Sequence, residues 1–279
     1  MGWTLEDIAW DRFDATRVDP DILAVVKAAA MVERNAADYT RYLRAIFQDD
    51  PQFQAETDRW QIEEEQHGDA LGTWAELADS GFNYQAACRR FTDGYKIPLD
   101  GDGSVRGSLT GELIARCIVE TGTSSFYSAL RDATTEPVLR DICHRIAGDE
   151  FRHFKLFYAT MQAYLKRENI PAWKRLLVAV SRIRESEDDE LAYAWFAANA
   201  PADAVYNRSS ATAAYGTRAY RLYQPTHVTR ATHMVLKACG LNPQGLLGTV
   251  ASRIMWRYIA SRARIPLAET MPQPIPRAA

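Results

Sequence analysis

One pattern occurs twice in the chain, as Glu64-Glu65-Gln66-His67 and as Glu150-Phe151-Arg152-His153, and both read Glu-x-x-His. On an α-helix, residues i and i+3 lie about 300° apart, so the Glu and His of each tetrad leave from one face and can bind one metal ion together. Two further stretches each offer a single carboxylate among apolar or small neighbours. These are Glu33, near Val26, Ala29, Ala30 and Ala37, and Glu120, near Cys117, Thr123 and Ser124. A carboxylate buried in such company without a partner is expensive. The six residues therefore demand a fold that brings them level.

Their spacing meets that demand. Glu33 lies about fifteen residues before the expected turn at Asp49-Asp50-Pro51 and Glu64 about fourteen after it, so at about 1.5 Å per residue both stand roughly 20 Å from the turn. Glu120 and Glu150 flank the turn near Thr134-Thr135-Glu136-Pro137 in the same way. The link from Glu64 to Glu120 is long enough to finish one helix, cross the bundle and enter the next. Two single Glu and two Glu-x-x-His on four helices are the ligand set of a ferritin-like di-iron carboxylate bundle. The expected fold is all-α, a ferritin-like four-helix bundle with one long crossover plus additional C-terminal helices.

Along the chain, residues 1 to 19 read as an irregular N-terminal arm carrying Trp3 and Trp10, and residues 20 to 167 as the bundle. Helix one starts behind Asp19-Pro20-Asp21 and runs to about Phe47. Helix two follows Pro51 to about Asp79. The crossover, residues 82 to 107, contains a helical piece near Gln85 to Phe91. Its Asp-Gly-Asp-Gly-Ser run at 100 to 104 lacks the closing Glu of a calcium loop and reads as a turn. Helix three spans about Ser108 to Ala133 and helix four about Glu136 to Arg167.

Within helix three, Thr121-Gly122-Thr123-Ser124-Ser125 is unfavourable for a helix interior, since Gly alone costs about 1 kcal/mol against Ala. Either small side chains leave room beside a metal for dioxygen and substrate, or the helix packs closely there. Residues 168 to 265 form a helical C-terminal extension, with helices at Lys174 to Arg184, through Ala198, at Ala211 to Tyr223, at Thr226 to Cys239 and around Trp256 and Tyr258. A Pro-rich tail occupies 266 to 279. His227 and His233 are six apart, face different ways and read as ordinary surface or core histidines.

Four cysteines without Cys-x-x-Cys spacing indicate neither a disulfide framework nor a zinc site. There is no secretory leader pattern at the start and no apolar run of about 18 residues, so a cytoplasmic protein without a membrane span is expected. No phosphate-binding glycine loop is present, and no nucleic-acid partner is expected. The net charge of −3 hides an asymmetry: residues 1 to 165 hold 17 Lys/Arg against 28 Asp/Glu, and residues 166 to 279 hold 16 against 8. The basic second half, with Lys174, Arg175 and Arg182, is a candidate docking surface for an acidic partner.

At its motifs the chain resembles the soluble acyl-[acyl carrier protein] desaturases. Glu63-Glu64-Glu65-Gln66-His67-Gly68-Asp69, with Trp60 upstream, is similar to that family's Glu-Glu-Asn-Arg-His-Gly-Asp segment. Asp149-Glu150-Phe151-Arg152-His153 is similar to its Asp-Glu-Lys-Arg-His, and Glu120 with Thr123 also matches. The likeness covers roughly residues 20 to 165. Gln66 departs from it by standing where the family has Arg, and the first hairpin is shorter than in the plant enzymes. Ile146 stands where di-iron N-oxygenases carry an additional His, and Leu71 where ribonucleotide reductase small subunits carry a radical Tyr. Both of those branches are disfavoured.

The resemblance implies two Fe ions and O2 as co-substrate. Glu33, Glu64 and His67 would serve one ion and Glu120, Glu150 and His153 the other, with Glu64 and Glu150 bridging. Glu63, Asp149, Trp60 and Arg152 would support these ligands, and the Thr123 hydroxyl would act on the oxygen side. The implied function is a di-iron oxidoreductase acting on a fatty-acyl chain, desaturase-like, with a ferredoxin-like electron donor, acyl carrier protein as a candidate partner, and a homodimeric state. Two alternatives remain: a di-iron hydroxylase or oxygenase of another small molecule, and ferritin-like iron oxidation and handling.

Overall fold

A computed structural model describes residues 2–96, 103–185 and 189–264, and among them every regular element is helical. Three single 3-10 turns, Leu5–Asp7, Trp10–Arg12 and Ala15–Arg17, make up the N-terminal arm. The helices follow as α1 (Pro20–Arg34), α2 (Ala36–Ile46), α3 (Pro51–Ala78), α4 (Tyr84–Gly94), α5 (Leu109–Ala133) and α6 (Pro137–Glu168). The remainder are α7 (Ala172–Glu185), α8 (Asp189–Asn199), α9 (Arg208–Arg221), α10 (Pro225–Ala238) and α11 (Leu246–Arg262). The Pro-rich tail, residues 100–102 of the expected turn and residues 186–188 lie outside the described residues.

The long helices start where side chains can satisfy their first free N–H groups. Asp19 accepts from the amides of Asp21 and Ile22, Asp50 from Phe53, and Ser108 from Gly111. Pro20, Pro51 and Pro137 each occupy a first turn, where a missing N–H costs nothing. Glu136 caps α6 and is fully buried, since its carboxylate also takes the Trp74 indole N–H and the Asp14 amide.

The expected single helix from 20 to 47 is interrupted. Asn35, with φ −85° and ψ 11°, separates α1 from α2, and its amide turns back to Val32 at 3.1 Å in a 3-10 bond. The break follows Glu33 by two residues and redirects the chain just beyond that carboxylate.

α5 packs along α6 and α1 along α3, while α3 and α6 also touch. Two apolar clusters lie along these helices. One holds Val25, Val26 and Met31 of α1, Leu71 and Trp74 of α3, Leu130 of α5 and Leu139 and Ile142 of α6. The other holds Leu43 and Phe47, Phe53 and Trp60, Leu113 and Ile114, and Phe157 and Met161. Glu33, Glu64, His67, Glu120, Glu150 and His153 fall between the two clusters on every helix. α3 ends in the first cluster and α5 begins in the second.

Gly68 brings α1 and α3 close. A Cβ there would lie 2.8 Å from the Arg34 amide nitrogen and 3.0 Å from the Ala30 carbonyl oxygen. Because both obstacles are backbone, Gly68→Ala is expected to push the helices apart beside Glu33 and cost about 1–3 kcal/mol. Chemical denaturation of the metal-free protein reads this cost; an unchanged midpoint would mean that the approach is not tight.

The C-terminal helices pack around this frame. α8 lies on α1, α4 and α9, and α10 lies on α5 and α11. His227 is buried and contacts Asp132 at 2.9 Å, whereas His233 is only partly buried. Lys174, Arg175 and Arg182 do not form one exposed face. Lys174 is exposed, Arg175 packs against Gly240, and Arg182 lines a cavity. α7 leaves Trp173, Leu177 and Val180 exposed, and α11 leaves Leu246, Val250, Ile254 and Tyr258 exposed. No described helix is long and apolar enough to cross a membrane.

Candidate metal centre

Four helices bring the six residues into one buried layer. Their ligand atoms form two overlapping groups, Glu33-Glu64-His67-Glu150 and Glu64-Glu120-Glu150-His153, within each of which all lie within 4.8 Å of one another. Glu64 and Glu150, the first residues of the two tetrads, belong to both groups. His67 Nδ1 lies 3.2 Å from Glu150 and 3.5 Å from Glu33. His153 Nδ1 lies 3.0 Å from Glu64, 3.6 Å from Glu120 and 4.0 Å from Glu150.

Each of the six also presents an unsatisfied atom inward: Glu33 Oε2, Glu64 Oε1, Glu120 Oε1, Glu150 Oε1, His67 Nδ1 and His153 Nδ1. Buried polar atoms are almost always hydrogen-bonded. Six such atoms converge on one space, where a cation could satisfy them together. Carboxylate oxygens with imidazole nitrogens suit first-row transition ions, so this group can hold metal.

The outward imidazole nitrogens are braced crosswise between the tetrads. His67 Nε2 meets Asp149 at 3.1 Å and His153 Nε2 meets Glu63 at 2.7 Å, so each carboxylate precedes the metal-facing Glu of the opposite tetrad. Such contacts fix the tautomer that turns Nδ1 toward a metal. Arg152 donates to Asp149 and, at 3.3 Å, to Glu63, joining the two braces at the surface. Trp60 packs edge-on to His153 at 6.5 Å. Thr123 donates to Glu150, so its hydroxyl lies against a carboxylate shared by both groups.

Electrostatics set the protonation tendencies of the same six residues. Burial pushes the Glu64 carboxyl well up, helped by Glu150 and Glu33, and burial beside Glu33 pushes Glu150 up to about 7. Burial works to lower both imidazoles, but Asp149, Glu150 and Glu33 around His67 outweigh it, and Glu120, Glu63 and Glu64 do so at His153. Both are held well above the ordinary histidine range. Glu33 goes the other way: burial would raise it, and His67, Glu64 and Tyr127 bring it down. Protons here take over the balancing of charge.

Trp3 was not legible as a site residue. Its ring stacks on His67 at 6.0 Å, its indole N–H donates to Asp149 at 2.8 Å, and its carbonyl accepts from Gln66 at 2.9 Å. Gln66, standing where the resembling family has Arg, thus anchors the arm. Trp3→Ala is expected to weaken metal binding about 10- to 100-fold, the range typical when a residue supporting a ligand is lost. Chelator competition measures it, and equal affinities would reduce Trp3 to a surface cover. Tyr127 was also missed, although it sits two turns beyond Glu120; its hydroxyl donates to Glu33 at 2.5 Å.

A cavity of about 270 Å³ adjoins the layer, with Glu33, Glu64, Glu120 and Glu150 on one wall and Leu191, Ala192, Thr212 and Tyr215 of α8 and α9 on another. Gly122 lines it, and a Cβ at Gly122 would meet nothing within 4 Å. Of the two readings of the Thr121 to Ser125 run, open space therefore applies at Gly122 and close helix packing does not. Comparison with protein-family models and with curated proteins finds no match for this chain.

Proposed function

We propose that the chain is a ferritin-like di-iron oxidoreductase that uses O2 to oxidise an organic molecule held beside the centre. The observation that carries this reading is the pair of overlapping ligand groups sharing Glu64 and Glu150, with an inward orphan atom on every member. The order of the apolar clusters along α1, α3, α5 and α6 supports the crossover bundle, because α5 starts at the opposite end from where α3 stops. Two ferrous ions bound by this donor set would supply the electrons and open positions for O2 chemistry on an unactivated C–H bond.

The protein's own residues do the rest. Asp149 and Glu63 hold the two imidazoles in orientation, and Thr123 steadies Glu150 by hydrogen bonding. The apolar walls of the cavity keep bulk water from the reacting atoms. Electrons would come from a separate donor, as in the resembling family.

The cavity favours a small molecule over a long acyl chain. By proportion with the ~150 Å³ cavity that accepts benzene, 270 Å³ suits about eleven non-hydrogen atoms. Iron handling is the reading from another class, and a formed organic cavity against all four glutamates argues against it. Anaerobic titration with ferrous ion, followed by stopped-flow mixing with O2, tests the proposal. About two ions per chain and an oxidation rate altered by one class of small molecule are expected; fast oxidation indifferent to every organic compound would favour iron handling.

A further inference from the structure

Arg116 lies on α5 one turn before Glu120, lines the cavity and is only 6% exposed. Its guanidinium stacks over the rings of Tyr39 at 5.0 Å and Trp60 at 5.5 Å. No carboxylate oxygen of the described residues lies within the 4.0 Å that defines an ion pair. Glu112, one turn before Arg116, accepts from Tyr42 and Ser104, each at 2.9 Å, and Glu190, which lines the same cavity, accepts from Tyr39 through one oxygen. A buried cation without a counter-ion is costly, and aromatic stacking compensates only in part.

We infer that Arg116 anchors the carboxylate of the substrate, a small organic acid whose apolar body fills the cavity. This rests on the oxidase reading for the chemistry, although the binding step stands apart from it. A guanidinium presents paired N–H donors that match a carboxylate in its plane, and contact with two rings limits how far this one can move. Arg116 and Glu120 are four residues apart, about 6 Å along the helix axis. An acid gripped at Arg116 therefore presents its first few carbons to the centre.

The test is binding of 4-fluorophenylacetate and of its amide, each of eleven non-hydrogen atoms, followed by 19F NMR on the full chain, both metal-free and loaded with Zn(II). Metal content is assayed separately, so a failed metal centre and a failed anchor are distinguishable. The acid is expected to bind about 10- to 100-fold more tightly than the amide. Arg116→Gln should erase that preference, Arg116→Lys should keep part of it, and the exposed Arg184→Gln should leave it unchanged. Circular dichroism of each variant separates loss of binding from loss of fold. Equal binding of acid and amide to the wild type, or binding of neither, overturns the inference. So does a preference that survives in Arg116→Gln, because the acid would then sit on the metal.

Discussion

Stripped of metal by a chelator, the protein is expected to lose stability steadily as the pH rises from about 5 to 8, whereas the metal-loaded protein holds or gains stability over the same range. The sign follows from the four groups with raised pKa values. Glu64 and Glu150 are pushed up by burial and by neighbouring acids, and His67 and His153 by surrounding carboxylates that outweigh burial. In each case the folded chain keeps protons that the unfolded chain has already released. Stability is therefore full at low pH and is lost through the window between the unfolded and folded pKa.

For Glu150 that window runs from 4.5 to about 7, and for the histidines it opens at 6.5 and extends upward. Each proton contributes a slope of about 1.4 kcal/mol per pH unit within its window. Glu33, Glu63 and Asp149 have lowered values and act oppositely, but their stabilisation is lost only on acidification through the ordinary carboxylate range and below. Metal displaces the shared protons and binds more tightly as they leave. Thermal melts of both forms at several pH values read the effect. Parallel curves would show that the layer does not carry the protons described.

Glu150→Gln is expected to weaken binding at both metal positions by more than about 100-fold, beyond the range seen when a supporting residue is removed. Glu150 belongs to both ligand groups, so its charge is shared. Glu120→Gln touches one group only and should leave one ion bound. The same Glu150→Gln change should make the metal-free protein more stable near pH 8, since a fully buried carboxylate crowded by Glu33 and Glu120 is replaced by a neutral side chain of the same shape. Metal analysis after dialysis, paired with a melt of the chelated protein, measures both. Retention of two ions would remove Glu150 from the shared position.

Much of the centre was legible because a helix converts sequence spacing directly into geometry. Glu64 with His67, and Glu150 with His153, needed only the i, i+3 relation. The level of Glu33 and Glu120 needed only the rise per residue and the turns at Pro51 and Pro137. The braces from Asp149 and Glu63 follow from the same faces meeting across α3 and α6. The break at Asn35 was hidden because Ala36 and Ala37 are good helix formers and the preceding run is apolar. Trp3 was hidden because an arm of 3-10 turns has no period that says where it lands. Residues such as Leu191, Thr212 and Tyr215 were hidden for another reason: which wall they form depends on packing between elements distant in the chain, such as α1 and α8, which no local pattern encodes.

That wall has an evolutionary consequence. The glutamates and histidines are supplied by α1, α3, α5 and α6, while the opposite side of the cavity is supplied by α8 and α9. Substitutions at Leu191, Ala192, Thr212 or Tyr215 can reshape the space offered to a guest while leaving the six inward atoms and their braces untouched. The shape of the cavity and the composition of the buried layer can therefore drift independently of one another.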